Sequence, residues 1–109
     1  MRLLHQVVVA AALMALTSAA GAVEVGSAQM GKAYATKVCA ECHEIEAGGE
    51  LSPNPEAPAF QEVADTPGMT ELALSVWLQS SHPTMPNIVL EQDDLRNVVA
   101  YIRSLKGQQ

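Results

Sequence analysis

Aromatic side chains are scarce in this chain: one Trp, one Phe and two Tyr in 109 residues. Small domains rely on such bulky groups to fill a thin core, so their shortage points to something other than protein at the centre. Basic residues are also few, six Lys and Arg against twelve Asp and Glu, for a formal charge of −6. A surface this acidic argues against nucleic acid, which needs a basic face. It suits a partner with a basic docking patch, and it serves plain solubility equally well. Only two cysteines are present, too few for a disulfide framework. No internal repeat or low-complexity block interrupts the chain, and no segment alternates apolar and polar residues between hairpin turns. The fold class expected is therefore all-α.

The one long apolar run is Val7 to Leu16. Arg2 precedes it and the small-residue site Ala20-Gly21-Ala22 follows, the three-part layout of a secretory signal peptide. The run falls well short of the roughly 20 apolar residues that span a membrane. Residues 1–22 are accordingly expected to be a cleaved leader and residues 23–109 a single domain. Cleavage after Ala20 is the second choice, and an uncleaved N-terminal anchor is the alternative. Removing the leader takes away one basic residue, Arg2, and no acidic one.

Four helical pieces are legible beyond the leader. Ser27 is placed to cap a short helix running to about Val38, without the Glu or Gln three residues on that would complete a capping box. Residues 44–58, EIEAGGELSPNPEAP, hold three prolines and a Gly-Gly pair, which excludes a regular element. Ala59 to Ala64 is a brief helical turn. Thr70 caps a helix to Ser80, with Leu74, Trp77 and Leu78 on one face. Pro83 and Pro86 then hold the chain extended around Met85. The strongest helical pattern is Glu91 to Leu105, where Leu95, Val98, Val99, Ile102 and Leu105 form one stripe. Acidic residues crowd its start, Arg103 and Lys106 its end, and Gly107 closes it.

Both cysteines fall in VCAECHEIEAG, residues 38–48, with His43 directly after Cys42. Four chemistries compete for that pattern. A disulfide between Cys39 and Cys42 closes too small a loop to cross-link much. A thioredoxin-like redox pair needs a preceding strand, which is missing. A structural zinc site needs four ligands, with His82 as the fourth, but a histidine touching the second cysteine is not zinc-finger spacing. Covalent haem attachment is the established meaning of Cys-x-x-Cys-His. Two residues between the thiols let one turn reach both vinyl groups of a haem, and the next residue turns its imidazole toward the iron. Export agrees, because such attachment takes place outside the cytoplasm.

A second iron ligand is sought in the C-terminal half. Met85, braced between prolines, is the candidate, since a thioether favours ferrous iron and raises the potential. His82 is the rival, and bis-His ligation would lower the potential. Met30 and Met69 are read as ordinary packing.

Taken together, these residues resemble the class I cytochromes c, small monohaem electron carriers, in their short bacterial form. The resemblance spans nearly all of Ser27 to Lys106. It rests on Gly31 eight residues before Cys39, on CAECH, on Ala57-Pro58-Ala59-Phe60, on Thr84-Met85-Pro86 and on Val99-Ala100-Tyr101-Ile102. It implies three to four short helices wrapped around one covalent haem c. Gly31 would let the first helix cross close to the last, near Val98 and Tyr101. The Pro58 carbonyl would accept from His43 Nδ1, with Pro55 the rival by spacing. Trp77 would line the haem surroundings or bond a propionate, and ordinary core packing is an equal reading. Tyr101 would be a helix contact. One departure is visible: Ala35 stands where many members carry an aromatic, and Tyr34 is one place early.

The expectation is a monomeric periplasmic carrier of single electrons and not an enzyme, since no acid–base pair or nucleophile adjoins the motif. Cys39 and Cys42 would hold the haem, and His43 and Met85 its iron. The alternatives are an electron-transfer subunit of a particular periplasmic dehydrogenase or reductase, and a haem-based gas sensor.

Overall fold

The structure is a computed structural model and describes residues 25–81 and 84–108. The leader expected at residues 1–22 and the rival ligand His82 lie outside them. Four helices follow in order: α1 (Ala28–Val38), α2 (Phe60–Asp65), α3 (Glu71–Gln79) and α4 (Gln92–Ser104). No strand forms among the described residues, so the all-α expectation holds.

Helix starts follow the capping residues. The Ser27 hydroxyl accepts from the Met30 N–H at 3.2 Å, and the Thr70 hydroxyl from the Ala73 N–H at 3.1 Å. Each satisfies one of the donors a helix leaves open at its first turn. Ala59 and Glu91 begin α2 and α4 with no side-chain cap. Beyond α4 the chain tightens through turns to Arg103 and Ile102 carbonyls, and Gly107 adopts a φ of 74°, which glycine takes without strain.

The apolar stripe of α4 is the centre of the molecule. Leu95, Val98, Val99, Ile102 and Leu105 are all buried, each stabilising by roughly 1.5–3 kcal/mol through area removed from water. They pack with Ala35, Ile45, Phe60, Ala64, Leu74 and Tyr101 into one cluster. Helix α1 lies directly across α4. A Cβ on Gly31 would run into the Asn97 carbonyl and the Tyr101 Cβ, so only glycine permits this approach. The contact is with Asn97 and Tyr101, one residue from the Val98 that the resemblance implied. Ala35 is fully buried in the crossing, and Tyr34 packs against its edge, so a small residue replaces the aromatic.

Two side chains depart from the packing role the sequence allows them. Trp77 is 55 % exposed although Leu74 and Leu78, on the same face, pack inward, so ordinary core packing does not describe it. Met30 is exposed and fills no core, whereas Met69 packs against the cluster as expected.

Candidate haem site

The end of α1 carries the motif. Cys39 N–H and Ala40 N–H both donate to the Ala35 carbonyl, and Cys42 N–H and His43 N–H both donate to the Cys39 carbonyl. One turn therefore presents both thiols and the imidazole. The cysteines are half-buried and not joined to each other. Burial pushes the Cys39 thiol up to about 11, because the thiolate loses solvation there, so it stays protonated at neutral pH. Among the described residues no three His, Cys, Asp or Glu side chains gather to hold a metal ion; His82, the fourth ligand of the zinc reading, lies outside them.

His43 has two neighbours. Its Nδ1 stands 2.7 Å from the Pro58 carbonyl, and its ring lies 5.5 Å from Phe60, tilted by 53°. A carbonyl only accepts, so Nδ1 is the donor of this pair, and the neutral imidazole then offers its Nε2 lone pair to a ligand. It is Pro58, and not Pro55, whose carbonyl takes this place.

The loop after His43 is fixed on several sides. Phe60 N–H donates to the Glu44 carbonyl at 2.8 Å, Asn54 N–H to the Cys42 carbonyl at 3.1 Å, and Glu44 N–H to the Ser52 hydroxyl at 3.0 Å. Three helices also reach the bend at residues 45–48. From α1, Lys32 pairs with Glu46 at 2.8 Å. From α4, the Tyr101 hydroxyl donates to the Ile45 carbonyl at 2.6 Å. From α2, the Gln61 side-chain oxygen accepts from the Gly48 N–H at 2.9 Å. The Glu46 hydrogen bond and charge raise the Lys32 pKa above its ordinary value. Desolvation, then the charge of Glu46, raises that of Tyr101. Glu44 turns back to accept from the Glu46 N–H at 2.8 Å. Two of the acidic residues near the motif thus shape the loop, while Glu41 stays exposed.

Met85 is half-buried in the segment between α3 and α4. It lines a cavity of about 350 Å³ together with Leu78, Pro86, Ile88, Val89 and Leu90. Pro58 lines a different cleft, of about 360 Å³, with Leu51, Ala57, Ala59 and the glutamates 50, 56 and 62. Gln61, the buried polar side chain of the core, was not anticipated from the sequence. Its available signal was the i, i+4 pairing with Asp65, which forms at 2.9 Å.

The cytochrome c family profile matches residues 28–106, and the chain belongs to that family, in its class I monohaem form. Among curated proteins and solved structures, none matches it. Members bind haem c covalently and use it for electron transfer with redox partners. The residues present fit that group. Two unpaired thiols and an imidazole whose Nδ1 is taken by the Pro58 carbonyl form the donor set, and large apolar side chains are left exposed. Leu51 and Val89, each in the lining of one of the two clefts, are 87 % and 88 % exposed. No helix among the described residues is long and apolar enough to cross a membrane.

Proposed function

We propose that this chain is a periplasmic one-electron carrier, with Cys39 and Cys42 holding the haem and His43 and Met85 ligating its iron. The observation that carries the reading is the 2.7 Å approach of the Pro58 carbonyl to His43 Nδ1, in the turn that also presents both unpaired cysteines. A haem held by these residues would supply one-electron redox chemistry. Cys39 and Cys42 would each give a sulfur to one thioether. His43 would ligate through Nε2, its Nδ1–H held by Pro58, which fixes the ring and raises its basicity. Met85, placed between Pro86 and the end of α3, would be the second ligand, a soft one that favours the reduced state. Trp77 would sit in the haem surroundings, in keeping with its exposure in the polypeptide alone. The acidic surface suits a redox partner with a basic patch, and a monomer is expected.

Export rests on the sequence of residues 1–22. Cell fractionation and N-terminal sequencing test it, with a periplasmic protein beginning at Val23 as the expected result; a cytoplasmic, full-length protein would refute it. The ligand assignment is tested by absorption spectra of both redox states. The weak long-wavelength band of a methionine–ferric bond should be present and should vanish in Met85→Ala. A band untouched by that substitution would overturn the role of Met85.

A further inference from the structure

We infer that Gln61 is a positioning residue for His43, the brace that keeps the Pro58 carbonyl on Nδ1. The inference rests on His43 being an iron ligand, and adds to that reading the residue that sets its hydrogen bond. Pro58 enters α2 just two residues before Phe60. That helix has six residues, too few to hold itself, and Ala59 at its start provides no side-chain cap. Its position must come from ties to the rest of the molecule.

Gln61 provides them. It is only 6 % exposed, and its amide is used on both sides. The oxygen accepts from the Gly48 N–H at 2.9 Å. The nitrogen donates to the Leu105 carbonyl at 2.7 Å and to Asp65 Oδ2 at 2.9 Å. Asp65 in turn accepts from the Gly107 N–H through Oδ1 at 2.8 Å. One side chain therefore joins the bend that follows His43, the helix that follows Pro58 and the end of α4. Its neighbour Phe60 touches the His43 ring and donates to the Glu44 carbonyl. His43 and Pro58 are thus held in register by a segment whose side-chain anchor is Gln61.

A buried amide with its partners in place is expensive to remove, because the Leu105 carbonyl, itself buried, would lose its donor away from water. Removing it should let α2 and the bend move apart, and the His43–Pro58 hydrogen bond should open more often. A less well held Nδ1–H makes the imidazole a poorer donor, which disfavours the ferric state and raises the midpoint potential.

The test uses the haem-loaded protein. In Gln61→Ala the His43 Nδ1–H should exchange with solvent about tenfold faster or more, and the midpoint potential should rise. Gln61→Glu keeps an acceptor for Gly48 but loses both donated bonds, and should shift both readouts in the same direction. Ser27→Ala removes the α1 cap, lowers stability at a distant point, and should move neither readout. A folded Gln61 variant with wild-type exchange and potential overturns the inference. Should the variants fail to fold, the unmodified protein decides: under rising denaturant the Gln61 side-chain amide, Gly48 N–H and His43 Nδ1–H must open as one unit. Independent opening overturns the inference. If His43 is not an iron ligand, its resonances in the ferric wild-type protein will lack paramagnetic shifts, which sinks the ligand assignment and not the brace alone.

Discussion

The Tyr101 hydroxyl reaches from the last helix to the Ile45 carbonyl, inside a cluster of otherwise apolar side chains. Tyr101→Phe leaves that carbonyl without this donor and should cost about 1–2 kcal/mol, read from urea unfolding. The same residue makes stability depend on pH. Its folded pKa lies above the ordinary 10.0, mainly from desolvation, so the fold favours the neutral phenol. That contribution is complete below pH 10.0 and is lost as pH rises through the folded value. The unfolding midpoint should therefore fall on the alkaline side, less steeply in Tyr101→Phe; an identical slope in the two proteins would assign the loss to other groups. Gly31 is the other residue on which the crossing depends. Gly31→Ala drives a methyl into the Asn97 backbone and should destabilise by about 2–4 kcal/mol, a denaturation shift that no rotamer change can relieve.

At the scale of elements, α1 and α3 carry working caps and α4 does not. Glu91 is exposed and already has its carbonyl bonded to Leu95 N–H at 2.9 Å, but its side chain makes no cap bond. Glu91→Ser should add about 0.5–1 kcal/mol, visible as a higher melting temperature, whereas Thr70→Ala should lose about as much from α3. The helices were legible in the sequence to within a residue or so at each end, because caps and the α4 stripe are local signals. So was the turn bearing Cys39, Cys42 and His43, since its chemistry is written in adjacent residues. Gln61 was not legible as a buried brace. Its role comes from Gly48 and Leu105, which only the folded chain brings to it. The periodicity, which puts Trp77 on one face with Leu74 and Leu78, could not choose between its two readings: a helix of nine residues buries only part of the stripe its periodicity draws.

For the whole molecule, the polypeptide core is small. Val98 is the largest side chain that is completely buried, and Phe60 and Tyr101 are its only aromatics among the described residues. A chain with Cys39 and Cys42 both changed to Ala should consequently lack covalent haem and show little cooperative unfolding by circular dichroism. A sharp two-state transition in that variant would show that protein alone completes the core. The formal charge of −6 predicts a second behaviour. At low ionic strength a cationic redox complex should exchange electrons with the protein faster than an anionic one of similar driving force, and the gap should close as salt rises. Equal rates at low salt would show that the acidic surface lies away from the point of transfer. The ties to α4 also constrain when the fold can exist. Side-chain hydrogen bonds between residues 32 or more positions apart join Ser27, Ile45, Gln61, Asp65 and Glu71 to partners at positions 97–107. None of these can form before that stretch has been made, and what a shorter chain can close is the region around the motif, through Lys32 with Glu46 and Gln61 with Gly48. A chain whose longest ties all wait on α4 is one that stays threadable until that helix packs.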